Sequence, residues 1–138
     1  MRTGSRIVSA LAAVVLCGML VPQAEAQQNK ADAAVQSDIR NLATVMETFF
    51  TDHSRYPHAR DVTYNGRRAV KFLGDTLHLQ SGDRLGAIRL TDDAQSYCLH
   101  VVRTKGASQT TRPWSYVSDR GGMRRGTCPS RFSKVVVR

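Results

Sequence analysis

Cys98 and Cys128 form the residue pair in this 138-residue sequence whose chemistry is clearest. The third cysteine, Cys17, lies in an N-terminal segment that we expect to be removed, so an even number remains. In an oxidising compartment an even pair favours a disulfide bond. This bond would close a loop of about 30 residues and stabilise a small domain by roughly 3–4 kcal/mol. Cys98 and His100 alternate onto one strand face, but a metal-binding or catalytic role for them has little support in the sequence.

Four arginines surround a glycine turn close to Cys128 and form our candidate anion-binding surface: Arg120, Arg124, Arg125 and Arg131. Residues 27–102 contain nine Lys/Arg and nine Asp/Glu, whereas residues 103–138 contain nine Lys/Arg and a single acid, Asp119. The excess positive charge therefore lies in the last third of the chain. This distribution favours an anionic partner, such as nucleic acid, an acidic polymer or phospholipid. The alternative is a solvated basic surface that keeps the protein soluble.

The signals for metal binding are weak. The four histidines have none of the spacings of a zinc site: His53, His58, His78 and His100. Asp92 and Asp93, with Asp83 upstream, supply oxygen atoms that suit calcium, but the ligand order of a dedicated calcium loop is absent. An ordinary polar turn is the simpler interpretation, so we expect no metal and no other cofactor.

Catalytic residues are equally hard to nominate. No serine stands in a nucleophile-elbow context, and no pair of acids has a sequence setting that suggests raised pKa values. We therefore predict that the protein is not an enzyme. An aromatic stripe, Trp114 and Tyr116, lies near Arg103, Lys105 and Arg112 and would suit stacking on bases or sugars. A half-buried strand is the alternative interpretation of that stripe.

The first 26 residues have the three parts of a secretory signal peptide. Two arginines precede an apolar region at residues 7–20, and Ala24-Glu25-Ala26 supplies the small-x-small pattern before Gln27. We predict cleavage between Ala26 and Gln27 and secretion to the periplasm or the cell exterior. The apolar region is shorter than the roughly 20 residues that cross a bilayer, so no stable membrane span is expected after cleavage. A retained N-terminal anchor is the alternative.

An amphipathic helix is predicted to follow, over residues 32–53. Five apolar residues recur at spacings of three and four and define its core face: Val35, Ile39, Leu42, Met46 and Phe49. Ala43 and Phe50 widen the apolar stripe, which suits packing on a sheet. Tyr56-Pro57 ends the helix, because the residue before a proline resists helical backbone angles.

The rest of the chain alternates with the period of short strands. A loop is expected over residues 57–67, and sheet structure over residues 68–138. The clearest strand runs from Tyr97 to Arg103, and Gly121-Gly122 marks a turn. One helix followed by short antiparallel strands predicts a single α+β domain over residues 27–138, with the helix packed on a small antiparallel sheet.

The segment "SDIRNLATVMETFFTDHSRYP", residues 37–57, resembles the junction between the long N-terminal helix and the globular head of type IV pilins and type II secretion pseudopilins. Those junctions typically show a polar residue, Arg-Asn, an Ala-rich helix, paired aromatics, an Asp-containing turn and Tyr-Pro. Downstream, "SYCLHVV", "WSYVSD", the Gly-Gly turn and "GTC" are similar to a pilin head. The resemblance covers about residues 31–128. It implies a pilin-head fold whose C-terminal region is closed by a bond between Cys98 and Cys128.

The N-terminus departs from this family. A pilin precursor would carry a short basic leader, a cleavage-site glycine and a glutamate at the fifth mature position, within a long apolar helix. Gly18-Met19 is the nearest candidate, yet position five after Gly18 is Gln23, and Pro22 interrupts the segment. The resemblance combined with this departure implies a released head that keeps only the C-terminal half of the stalk helix, rather than a filament strut.

These features predict a secreted, non-enzymatic interaction domain that contacts a protein or an anionic polymer, as an accessory of a pilus or a type II secretion-type apparatus. The alternative is a secreted anion-binding accessory, for nucleic acid or an acidic polymer, that uses the basic C-terminal surface. The two predictions differ in salt dependence, because binding through phosphate contacts weakens steeply as ionic strength rises.

Overall fold

The computed structural model describes residues 21–66, 68–104 and 113–138, with side chains from residue 26 onward. The fold is α+β, as predicted, with one long helix packed on antiparallel sheets. In chain order the elements are helix α1 (Val21–His53) and strands β1 (Val62–Tyr64), β2 (Ala69–Phe72), β3 (Asp75–His78), β4 (Asp83–Leu90), β5 (Tyr97–Arg103), β6 (Trp114–Val117), β7 (Gly122–Arg125) and β8 (Lys134–Val137). Short 3-10 turns occupy Ala59–Asp61 and Ser118–Arg120.

The strands form two sheets in which the paired strands are antiparallel. Strands β1, β2 and β3 make a three-stranded sheet in that order, and the remaining strands make a five-stranded sheet in the order β7-β6-β5-β4-β8. The larger sheet therefore has β7 at one edge and the C-terminal strand β8 at the other. We call its face toward α1 the inner face and the opposite face the outer face.

Helix α1 is longer than predicted, because it extends back from residue 32 to Val21. The added segment, residues 23–31, contains no proline or glycine and is rich in the helix formers Ala, Gln, Glu and Lys. Pro22 lies in the first turn, where its missing N–H removes no helical hydrogen bond. The expected cleavage point between Ala26 and Gln27 thus lies within helical backbone, and cleavage there stays a prediction.

The predicted apolar face of α1 enters the core. Its five residues are between 0% and 5% exposed: Val35, Ile39, Leu42, Met46 and Phe49. They belong to one cluster with Tyr97, Leu99 and Val101 on the inner face of β5. Burial of each large apolar side chain contributes roughly 1.5–3 kcal/mol, so packing holds this helix more than propensity does. Phe50, in contrast, is 37% exposed and lies outside the buried stripe.

Sheet structure begins earlier than predicted, at Val62 rather than residue 68. The prediction of a loop over residues 57–67 is wrong for Val62–Tyr64, which pairs with β2. The hairpin between them contains Asn65-Gly66, the expected turn, with Gly66 at a left-handed φ of 75°. A strand of three residues is too short to show a period of two in the sequence.

Cys98 and Cys128 are joined by a disulfide bond, as predicted, with their Cα atoms 5.8 Å apart. Cys98 lies on the outer face of β5, so the bond fastens the segment after β7 onto that face. Phe132, which is fully buried, packs there with Cys98 and Val117. Structural disulfides are typical of oxidising, non-cytoplasmic compartments. Within the described residues, no helix combines the length and apolar character needed to cross a membrane.

Candidate functional site

The four arginines of the predicted anion-binding surface fall into two pairs with different surroundings. Arg125 forms an ion pair with Asp32 of α1, and its guanidinium lies 4.6 Å from the centre of the Trp114 ring. Arg131 contacts Asp119 at 3.0 Å and lies over the ring of Phe132. These two arginines are therefore occupied within the protein, where they tie α1 and the C-terminal segment to the sheet.

Arg120 and Arg124 have a different setting. Both are exposed, and neither has an acidic partner in the described parts of the chain. Arg124 lies on the edge strand β7 opposite Ser115, whereas Arg120 ends the 3-10 turn before that strand. The predicted surface is thus divided, and only half of its arginines remain available to an external anion.

Arg124 belongs to a row of side chains that crosses the outer face of the larger sheet. Cross-strand pairing aligns Ala87 of β4, His100 of β5, Ser115 of β6 and Arg124 of β7. Arg89 is two residues along β4 from Ala87 and therefore lies on the same face. We call His100, Ser115, Arg124 and Arg89 the outer-face cluster. Residues this distant in sequence become neighbours only through strand register.

Two polar atoms of the outer-face cluster are buried and have no hydrogen-bond partner among the residues that the structure describes: Nε2 of His100 and Oγ of Ser115. Ser115 is 0% exposed, and His100 is half-buried. Burial, with the positive charge of Arg89 as a lesser cause, lowers the pKa of His100, so its imidazole is neutral at pH 7. The outward positions of β4, β5, β6 and β7 carry no acidic residue. The cluster is therefore a positively charged setting that contains two unpaired polar groups.

The His100 ring is positioned by a bulge in β4. The pairing register shifts between Leu85 and Ala87, at Gly86. A Cβ atom at Gly86 would lie 2.7 Å from Nδ1 of His100, which is closer than side chains tolerate. The ring therefore rests against the bare backbone of Gly86, an approach that glycine alone permits.

Two carboxyl groups, those of Asp38 on α1 and Asp83 on β4, interact in the protein interior. The prediction that no acid pair has raised pKa values is wrong here: burial is the largest cause that raises both, and the pKa of Asp83 reaches about 6. Asp38 is 1% exposed and Asp83 is 2% exposed. Nε of Arg103 lies 2.9 Å from Oδ1 of Asp83, and the backbone N–H of Gln80 donates to Asp38 at 2.8 Å. The pair joins helix to sheet and is closed to solutes, so we interpret it as structural.

The three aspartates considered as calcium ligands do not converge. Asp83 lies in the buried pair, at the opposite end of β4 from Asp92 and Asp93. Asp92 accepts a hydrogen bond from Ser133, and Asp93 accepts one from Thr91 at 2.5 Å within its own turn. Among the described residues, no three metal-binding side chains are grouped together. These hydrogen bonds give Asp92 and Asp93 a structural role in the turn between β4 and β5.

The remaining histidines lie at element ends and edges. Nδ1 of His53 lies 3.1 Å from the carbonyl oxygen of Phe49, as expected for a histidine at the end of a helix. The backbone N–H of His58 donates to the carboxylate of Asp61 at 2.8 Å. His78 is exposed on β3. Among the described residues, none of these histidines belongs to a group of three side chains that could hold a metal ion.

The aromatic stripe, Trp114 and Tyr116, faces α1. It therefore belongs to a half-buried strand, which was the alternative to a surface that stacks on bases or sugars. Nε1 of Trp114 donates to Asp32 at 3.1 Å, and the Tyr116 ring stacks with Tyr97 at 5.9 Å between centroids. Arg103 is engaged with the buried acid pair. Lys105 and Arg112, the other two cations of that prediction, lie outside the described residues.

A groove of about 360 Å³ lies between the end of α1 and the hairpin of β2 and β3. Phe49 and Phe72 line its apolar part, and Asp52 and Asp75 line its polar part. Leu73, in the hairpin turn, is 58% exposed and has a left-handed φ of 34°. The groove was not predicted, because helix and hairpin meet only in the folded protein.

The family resemblance rests on the helix junction at residues 37–57 and on the disulfide-closed C-terminal region. Comparison with protein-family models, with curated proteins and with solved structures finds no match to this chain. A function must therefore be proposed from the structure itself: the α+β architecture, the docked helix and the disulfide. The type of partner is accordingly a matter for proposal.

Proposed function

We propose that this protein is a secreted, non-enzymatic interaction domain of the pilin-head type, which works by protein contact as an accessory of a pilus or a type II secretion-type apparatus. The observation that carries the proposal is that α1 has an exposed N-terminal part and a part that is packed on the sheet. From Asp32 onward the helix is buried on the sheet, whereas Ala26 to Lys30 are exposed. After the proposed cleavage before Gln27 the helix keeps residues 27–53, a length of about 40 Å, and its exposed first turn, residues 27–30, extends beyond the buried part.

The groove beside α1 supports contact with a protein. Phe49 and Phe72 line it but are only 5% and 3% exposed, so the apolar anchor available to a partner is Leu73, which is exposed at its rim. Clusters of apolar side chains in a concave site, rimmed by polar groups, are typical of protein contact surfaces. The acids Asp52 and Asp75 at this groove favour a partner segment that carries a basic residue.

A lack of enzymatic chemistry is supported by how the polar groups are used. The pKa values of Asp38 and Asp83 are raised, but both side chains are buried between α1 and the sheet, where a substrate has no access. His53 is engaged by the helix end, and Trp114 by Asp32. His100 and Ser115 oppose each other on the outer face of the larger sheet, but Ser115 is 0% exposed, so this described serine–histidine pair does not lie in an open cleft.

Site-specific crosslinking in the producing cells tests the contact. A photo-crosslinking amino acid at Leu73 should yield one discrete product with a pilus or secretion-apparatus component. The control is the same amino acid at Thr63, which is exposed on the same small sheet but outside the groove. Absence of a product at Leu73, or the same product at both positions, contradicts the proposal.

Secretion is tested by intact-mass analysis of the exported protein. A chain that begins at Gln27 and weighs two hydrogens less than its reduced form supports signal cleavage together with the bond between Cys98 and Cys128. A chain that retains residues 7–20 contradicts release and favours the anchored alternative.

The second candidate is a secreted anion-binding accessory, and it is favoured by a separate observation. Arg120 and Arg124 are exposed without acidic partners, and the outer face of the sheet bears no acid on β4 to β7. Binding to a phosphate polymer or nucleic acid should then weaken steeply between about 50 and 200 mM salt. Binding that is indifferent to ionic strength rules this candidate out.

A further inference from the structure

We infer that the outer-face cluster is a binding site for a tetrahedral oxyanion, phosphate or sulfate, held by His100, Ser115 and Arg124. The inference rests on the second candidate function and assigns it a specific place. It does not depend on the groove or on any protein partner. Its basis is the combination of two buried, unpartnered polar atoms with an exposed arginine in one cross-strand row.

The unpartnered atoms point to a missing ligand. Nε2 of His100 and Oγ of Ser115 each lack a hydrogen-bond partner although both are buried. Buried polar groups are paired in the great majority of cases, because an unpaired one carries the full desolvation cost. Directly opposed residues on one sheet face have Cβ atoms roughly 4.5–5.5 Å apart, so one ligand can reach both side chains.

The charge of the site selects an anion. A neutral imidazole donates from Nε2 in one tautomer, and a serine hydroxyl donates from Oγ, so both unpartnered groups can act as donors. Arg124 is exposed beside Ser115 and contributes a guanidinium with no acid to neutralise it. Arg89 adds a second positive charge close enough to influence His100. An oxyanion accepts hydrogen bonds from all these groups and gains from both charges.

The contrast with Arg125, the next residue along the strand, supports the assignment. Arg55, Arg103, Arg125 and Arg131 each contact a carboxylate: Asp61, Asp83, Asp32 and Asp119, respectively. Arg124 has no such partner within the described residues, although it is adjacent in sequence to the paired Arg125. The sheet edge thus directs one arginine inward to Asp32 and leaves the next one outward, beside the unpaired donors.

Access is provided at the edge of the sheet. Strand β7 has no neighbour on its far side in the sheet order, and Arg124 on it is exposed. A long, flexible side chain at an edge can move aside and then close over an anion that contacts Ser115 and His100. On the other side of the row, Gly86 fixes the His100 ring, because any side chain there would collide with it.

The site is tested with the full secreted, oxidised protein at low ionic strength, by titration with inorganic phosphate and by NMR of the histidine rings. Phosphate should shift the signals of His100 while those of exposed His78 stay in place. Arg124→Gln and Ser115→Ala should each weaken phosphate binding about tenfold. The matched control, Arg40→Gln, removes the same charge from an exposed arginine of α1, away from the outer face of the sheet, and should change binding less than twofold.

The outcomes separate this inference from the function on which it rests. Unmoved His100 signals at saturating phosphate, or equal losses in the Arg124 and Arg40 variants, overturn the oxyanion site. Salt-sensitive binding of polyphosphate that survives Arg124→Gln overturns it as well, while leaving a diffuse anion-binding function intact. Selective loss of both inorganic phosphate and polyphosphate binding in Arg124→Gln supports a site that accepts polymer-borne phosphate, and loss of inorganic phosphate binding alone supports one for the free ion. Unchanged melting temperatures in all three variants confirm that the comparison reports binding and not unfolding.

Discussion

Asp38 of α1 and Asp83 of β4 are buried close enough for each carboxyl group to influence the pKa of the other. They are 1% and 2% exposed. One arginine, Arg103, lies 2.9 Å from Asp83 and offsets a single negative charge. Two buried carboxylates beside one cation are unfavourable, so the pair keeps one proton at a pH where an exposed aspartate has lost its own.

Folding stability should therefore fall as the pH rises from about 4 to 6. The pKa of Asp83 is about 6 in the folded protein and has an ordinary value of 3.8. Between these values the folded state binds more protons than the unfolded state, so the free energy of unfolding decreases with pH and then levels off. Asp38→Asn imitates the protonated acid and should stabilise the protein by about 1–2 kcal/mol above pH 6. Urea unfolding at a series of pH values measures this gain.

The gain from Asp38→Asn should disappear at pH 4, where the native pair holds its proton. Asp92→Asn is the matched control, since Asp92 is exposed, and it should show no comparable pH dependence. A gain of equal size at pH 4 and pH 7 would contradict the shared proton and point to a packing effect.

Asp61 should change the pH dependence of folding stability in the opposite direction to the Asp38–Asp83 pair. A hydrogen bond from Arg55 at 2.6 Å is the largest cause that lowers the pKa of Asp61, to about 2. A lowered pKa stabilises the fold above about pH 4, and this contribution is lost as the pH falls through 2. Asp61→Asn should cost about 1 kcal/mol at pH 7, a figure kept small because Arg55 is partly exposed. Acid unfolding curves should converge for the two proteins near pH 2, and curves that remain parallel would contradict this account.

Gly86→Ala should destabilise the protein through His100. The new Cβ would lie 2.7 Å from Nδ1 of the ring, so the ring must move from its place on β4. Overpacking of this kind costs about 1–3 kcal/mol. His100→Ala combined with Gly86→Ala should recover most of that loss, and a double-mutant cycle by thermal unfolding measures the coupling. Strictly additive losses would show that Gly86 is needed for the bulge itself and not for the ring.

Loss of the disulfide should weaken the C-terminal region most. Replacement of both Cys98 and Cys128 by alanine should cost about 2–4 kcal/mol, because the unfolded chain regains the freedom of a loop of 30 residues. Hydrogen exchange should show the largest increase at Phe132 and its neighbours, which the bond fastens to the outer face. Wild-type protein treated with a reducing agent is the matched comparison. Equal exchange across the whole sheet would contradict a local role.

The features that could be predicted from the sequence are those that depend on the types and spacing of residues along the chain. On the core face of α1, apolar residues recur at spacings of three and four. This spacing is visible in the sequence because only one side of the helix packs on the sheet. The pairing of Cys98 with Cys128 followed from an even number of cysteines after the expected cleavage. The α+β class followed from the change of period after Pro57.

The features that were missed depend on register or on long-range contact. Asp38 and Asp83 carry no sign in sequence of meeting, since one lies on a helix and the other opens a strand. The row of His100, Ser115 and Arg124 exists only because three strands align in a particular register. The division of the four arginines is similar, because strand alternation sends Arg125 inward and Arg124 outward.

The contact of Arg125 and Trp114 with Asp32 bears on the N-terminal cleavage that we propose. Asp32 is the first buried acid of α1, and the residues from Ala26 to Lys30 before it are exposed. A peptidase that cuts between Ala26 and Gln27 would therefore act on backbone that the head does not cover. Because that backbone is helical, cleavage there requires the first turns of α1 to open locally, but it does not require the head to unfold.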